Sequence, residues 1–150
     1  MSGDFRFLED VALADAAFDA SGGSPSELFV AAARAVIGTM VNPSTVEPRA
    51  SYDVSQEAPD IESLLFDWLS YIVYLKDAEG VVFREAAAIV SESRQGSGSS
   101  GTWSLRGTLT GEPIDQSRHE LHADVKAVTK HLYQVRQDGD RWMARVVIDI

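Results

Sequence analysis

Three oxygen-bearing groups stand out as residues that could do chemistry together: the side chains of Asp15 and Asp149 and the carboxylate that closes the chain at Ile150. The last ten residues, RWMARVVIDI, read as a β-strand. Trp142, Ala144, Val146 and Ile148 alternate with Arg141, Met143, Arg145 and Val147. A strand that runs straight to Ile150 places two carboxylates on adjacent residues. Such groups repel unless a cation or a basic group lies between them. Asp15 sits among Ala14, Ala16 and Ala17, which leave room for a ligand to approach. If the first and last strands are neighbours, the three carboxylates form a hard oxygen donor set suited to Ca²⁺ or, second, Mg²⁺, rather than zinc or copper. The same residues also fit solvated acidic strand ends.

Other chemistries are less well served. His119, His122 and His131 could chelate a transition metal if 119 to 122 turned and 131 reached in from the next strand, yet they lack the spacing of a zinc motif, and exposed loop histidines are the commoner case. The loop RQGSGSSG has no P-loop lysine and no helical pattern after it, so it reads as a flexible hairpin connection. No nucleophile elbow is present.

The elements that would position the acidic groups can be read in order. Residues 5 to 20 give one or two short strands, with Asp19 facing solvent on an edge. Ser24-Pro25-Ser26-Glu27 is a capping box that starts a helix running to about Val41. It carries Leu28, Phe29, Ala32, Ala35, Val36 and Met40 at helical spacing, and Asn42-Pro43 ends it. A strand with Tyr52 and Val54 on one side follows. Asp60 caps a second helix, Ile61 to Lys76, whose Ile61, Leu64, Leu65, Trp68, Leu69, Ile72, Val73 and Leu75 mark it as the centre of the core. Gly80 closes it. Strands Val81 to Ser93 and Thr102 to Gly111, a polar crossing segment 112 to 124, and a last hairpin turning at Asp138-Gly139-Asp140 complete the chain. Helices and strands do not alternate as a doubly wound sheet requires. The expectation is one α+β domain over 1–150, with two helices packed on mostly antiparallel strands.

The 150 residues carry a net charge of −10, 45% hydrophobic and 24% charged residues, and no cysteine. Such acidity disfavours holding nucleic acid alone and favours cations and basic protein surfaces. Without cysteine there is no disulfide or thiolate site. The first residues lack a signal-peptide pattern, and no apolar run reaches the ~20 residues of a membrane span, so a cytoplasmic protein is expected.

Four stretches resemble the archease family in order and spacing: SELFVAAARAVIGTMVNPSTVEP, DWLSYIVYLKDAEGVVF, RHELHADVKAVTKH and the ending RWMARVVIDI. The resemblance implies a small cytosolic, non-enzymatic protein that assists tRNA splicing. It would activate the GTP-dependent RNA ligase that joins tRNA halves, promoting guanylylation and multiple turnover, and would meet tRNA only indirectly. The alternatives are a chaperone for a tRNA cytosine methyltransferase, or a divergent paralogue with another partner. It also implies a metal site built from the Asp of a His-Thr-Ala-Asp motif and the final Asp-Ile. Here that motif falls on Ala12-Leu13-Ala14-Asp15, so the ligands Asp15, Asp149 and Ile150 are kept while the His and Thr are replaced. His119, Glu120, Lys126 and His131 lie in family-like stretches. Lys126 and His131 are expected to hold the crossing segment against the last hairpin.

Overall fold

The computed structural model describes residues 3–8, 15–93 and 101–150. Ala12, Leu13 and most of the RQGSGSSG loop lie outside the described residues. The described chain contains seven strands and two helices: β1 (Asp4–Leu8), β2 (Asp15–Gly22), α1 (Pro25–Met40), β3 (Ala50–Ala58), α2 (Ile61–Glu79), β4 (Val81–Ser93), β5 (Thr102–Pro113), β6 (Ala127–Asp138) and β7 (Arg141–Asp149). A short 3-10 turn, Pro43–Thr45, follows α1. The strands form two sheets, ordered β1-β2-β7-β6 and β3-β5-β4, and every pairing is antiparallel. This is the α+β architecture expected from the sequence.

Local chemistry sets the helix ends. The Ser24 hydroxyl accepts the Glu27 N–H at 3.1 Å, while the Glu27 carboxylate accepts the Gly23 N–H at 3.0 Å. Asp60 accepts the Ser63 N–H at 2.7 Å. Gly80 ends α2 at φ 62°, a left-handed conformation that costs glycine little. α2 runs three residues beyond Lys76, because nothing in Asp77-Ala78-Glu79 breaks a helix.

α1 packs against β2 and β4, one strand from each sheet, and α2 packs against β6 and β3. All eight apolar positions of α2 named by their spacing are buried, and Trp68 donates its indole N–H to the Phe29 carbonyl at 3.1 Å, joining the two helices. Close approach of Trp68 to the second sheet requires Gly107, where a Cβ would lie 2.9 Å from the indole ring. In the first sheet, Phe18 and Ala20 on β2 pair with Val146 and Ala144 on β7. These four are buried and turn one sheet face to the helices.

β2 is not an edge strand. β1 covers its outer side, so Asp19 lies within a sheet rather than at a rim. Its carboxylate accepts two hydrogen bonds from Arg145, at 2.8 and 2.9 Å, with Arg6 3.6 Å away. The Arg145 hydrogen bond holds the Asp19 carboxyl below the usual carboxylate range.

Candidate functional site

The antiparallel register of β2 and β7 places Asp15 directly opposite Asp149. Residues paired in this way point to the same sheet face, with Cβ atoms about 4.5–5.5 Å apart. On the other side of β7, Ala127 of β6 stands opposite Asp149. The small side chains of Ala16 and Ala127 crowd neither carboxylate. Ile150 packs against the hydrophobic core, which anchors the last residue beside Asp149. The structure therefore brings together Asp15 and Asp149, two of the groups singled out in the sequence, with Ile150 next in the chain. Like charges directly opposite one another in a sheet repel, and a hard dication, which favours oxygen donors, would relieve such repulsion. The donor set fits Ca²⁺ or Mg²⁺ on this chemistry. Among the described residues, no three or more His, Cys, Asp or Glu side chains form a group that could hold a metal ion.

The crossing segment between β5 and β6 buttresses this end of the sheet. α1 ends without a basic residue in its last turn or a glycine cap. Its final carbonyls are satisfied from outside the helix instead. The N–H groups of His122 and Ala123 donate to Met40 and Thr39, at 2.8 and 3.0 Å, and the His122 ring nitrogen Nδ1 donates to Gly38 O at 2.9 Å. Nε2 of His122 lies 2.9 Å from the Glu120 carboxylate. Both ring nitrogens thus face acceptors, and the Gly38 carbonyl together with Glu120 raises the His122 pKa above its usual value. The segment then runs to Lys126, whose backbone N–H donates to the Asp149 carbonyl at 2.8 Å. A continuous set of hydrogen bonds thus links the end of α1 to the acidic pair.

Lys126 contributes its backbone to that link, and its charge adds to the Lys76 interaction that lowers the Asp124 pKa. The side chain that clamps the segment is Lys76. Its Nζ donates to Asp124 and to the Val125 carbonyl, both at 2.7 Å, and pairs with Asp77 at 2.6 Å. Burial works against its charge, but the bonds to Asp124 and Asp77 outweigh it and raise the pKa. A sequence signal for this existed: Lys76 continues the buried stripe Leu69, Ile72, Val73 at helical spacing, so its ammonium needed partners.

The histidines do not assemble. His119 is buried rather than exposed in a loop. Its Nδ1 accepts the Asp115 N–H at 3.0 Å, so Nε2 carries the proton and donates to Glu112 at 2.8 Å. Glu112, also buried, accepts two further bonds from Arg118 and one from the Glu47 N–H. Arg118 above all holds the Glu112 carboxyl far below the usual carboxylate range. His119 and His122 have no free ring nitrogen for a metal. His131 sits in a β6 bulge where residues 130 to 133 drop out of register with β7. There Tyr133 donates to the Glu62 carbonyl at 2.6 Å and Lys130 lies 4.0 Å over the Phe66 ring.

Comparison with known proteins places the chain in a family. Residues 5–150 match the model of the Archease protein family (MTH1598/TM1083). The chain is 36% identical over 137 residues to Protein archease of Methanopyrus kandleri, covering 91% of this chain and 94% of that one. It is 35% identical over 138 residues to Protein archease of Pyrococcus furiosus, covering 91% and 93%. The solution structure of Methanobacterium thermoautotrophicum Protein 1598 superposes with a TM-score of 0.77 at 32% identity, covering 97% of this chain and 98% of that one. The crystal structure of an archease, possible chaperone, from Thermotoga maritima gives 0.56 at 19% identity, with the same coverage, and shows the shared fold. With a family model matched from Phe5 to Ile150 and relatives above 30% identity over nine-tenths of its length, the chain belongs to the archease family.

Proposed function

We propose that this protein is a non-enzymatic cytoplasmic accessory factor in tRNA splicing, which activates a GTP-dependent RNA ligase through the acidic pair Asp15–Asp149 and the Ile150 carboxylate. The observation that carries this reading is the register of β2 and β7, which faces Asp15 onto Asp149. Asp15, Asp149 and the terminal carboxylate would hold Ca²⁺, or Mg²⁺ as the second choice. A divalent ion there would supply charge neutralisation of the kind nucleotidyl transfer requires. The protein's own residues supply the rest. β2 and β7 fix the two carboxylates, Ile150 anchors the chain end in the core, and the crossing segment braces the Asp149 backbone.

The net charge of −10 suits docking against a basic, RNA-binding ligase, where complementary fields speed encounter. No described helix is long and apolar enough to cross a membrane. The test is a multiple-turnover ligation of tRNA halves by the organism's own ligase, with and without this protein. Added protein should raise the number of turnovers per ligase. Unchanged turnover at saturating protein contradicts the reading.

A further inference from the structure

The sheet face that carries the acidic pair also carries a basic zone at its other end. Along β7, Arg141 and Arg145 alternate onto this face with Asp149. Register adds neighbours: Asp19 and Gln134 flank Arg145, Ser21 and Arg136 flank Met143, and Arg6 stands opposite Asp19. Arg6, Arg136, Arg141 and Arg145 therefore share this end of the face with Asp4, Asp19 and Asp138, which the register places opposite Ser21, Arg145 and Arg141, in a protein whose net charge is −10. Of these arginines, Arg136 and Arg145 line a shallow hollow of about 200 Å³, together with Asp19, Gln134 and Met143. Arg145 and Arg6 share the single carboxylate of Asp19. Arg141 donates to the Ser21 hydroxyl at 2.7 Å. The Arg136 guanidinium and the Gln134 amide project from the exposed strand β6 with no hydrogen bond or ion pair to another described residue. Buried Ala17 and Val147 separate this zone from the acidic pair. The four-residue step from Arg145 to Asp149 spans about 13 Å of extended strand.

We infer that this hollow binds the sugar–phosphate backbone of single-stranded RNA, through Arg136 and Arg145 with Gln134 as a neutral donor. The hollow offers N–H donors in the fork geometry that phosphate oxygens accept. Its lining holds no aromatic ring on which a base could stack, so it would read backbone and not sequence. A strand seated there would lie about 13 Å from the acidic pair. Only the choice of RNA as the polyanion rests on the proposed role in tRNA splicing. The binding itself is measurable without any ligase, so the two readings fail separately.

The test is titration of the full-length ¹⁵N-labelled protein with a short oligouridine at low salt, following backbone and arginine side-chain resonances. Shifts should concentrate at Gln134, Arg136 and Arg145 and fade as salt rises. Arg136→Gln should weaken binding about fivefold and lower the slope of log K against log salt by about 0.7. Asp19→Asn frees two arginines and should tighten binding about fivefold, a gain that misfolding does not produce. Arg106→Gln, on the other sheet, should change neither quantity. The inference is overturned if the oligonucleotide shifts no resonance on this face, or if Arg106→Gln weakens binding as much as Arg136→Gln. It is equally overturned if an oligoglutamate of the same length binds the hollow more tightly than the RNA, which would make the face a docking site for an acidic protein.

Discussion

Asp15 on β2 and Asp149 on β7 occupy one register position of an antiparallel pair and turn the same way. Like charges placed directly opposite destabilise a sheet by about 0.2–1 kcal/mol. A chain folded this way holds its own repulsion at one end of the sheet, and the proposed divalent ion would remove it.

That relationship gives the first prediction. In chelator, Asp15→Asn should raise the melting temperature by about 1–4 °C, since a domain of this size shifts about 2–4 °C per kcal/mol. Added Ca²⁺ should raise the melting temperature of the wild type and leave Asp15→Asn unmoved. A calorimetric scan with and without Ca²⁺ reads both effects. An equal Ca²⁺ response in the two proteins would place the ion elsewhere.

The second concerns the clamp. Lys76→Met keeps the aliphatic stem in the core and removes the bonds to Asp124 and Val125 O. Loss of about 1–3 kcal/mol is expected, as for hydrogen bonds to a charged group. Amide exchange should accelerate first at Val125 and Lys126, where the segment meets Asp149. Uniform acceleration across the whole protein would show that Lys76 stabilises the fold without acting on the crossing segment.

pH dependence follows from His122. Its pKa in the folded protein lies above the ordinary 6.5, raised by the Gly38 carbonyl and Glu120. The imidazolium therefore contributes stability that is fully present below about pH 6.5 and is lost as pH rises through the folded value. His122→Gln should flatten the stability profile above neutrality. Denaturant midpoints measured across that range, wild type against variant, decide the point; parallel profiles would mean that His122 does not titrate with folding.

Backbone packing yields the fourth. At Gly111 a Cβ would lie 1.9 Å from the Val82 carbonyl oxygen, beside the β4 irregularity between Phe83 and Glu85. At Gly107 the clash is with the Trp68 ring at 2.9 Å. Gly107→Ala should cost about 1–3 kcal/mol, the range for overpacking, and Gly111→Ala more, because a paired backbone cannot turn aside. Urea unfolding of the two variants gives the order directly.

Much of this was legible in the sequence because it depends on short-range pattern. The alternation in RWMARVVIDI separated the faces of β7, and the helical spacing of α2 named eight residues that are all buried. Caps at Ser24 and Asp60 were readable because a side chain and an N–H three residues apart suffice. The site was legible only as a condition, that the first and last strands be neighbours, since register is a tertiary fact. What escaped was polar and long-range. Asp19 looked like an edge residue because nothing in its neighbourhood reports that β1 lies outside β2. His119 looked exposed because EPIDQSRHE reads as a solvated loop, and it is buried only through the bonds that Glu112, Arg118 and the Glu47 N–H make to one another. Lys126 does tie the crossing segment to the last hairpin, through its backbone N–H, but the Lys76 clamp, fifty residues earlier in the chain, was missed.

The most direct test of the central claim is the rate of ligase guanylylation by GTP, measured with equal amounts of four folded proteins: wild type, Asp15→Asn, Asp149→Asn, and wild type extended by two residues beyond Ile150. The account predicts acceleration by the wild type and none by the other three, each lacking one of the three carboxylates, with melting temperatures that show all four to be folded. Equal acceleration by Asp15→Asn and Asp149→Asn would contradict it.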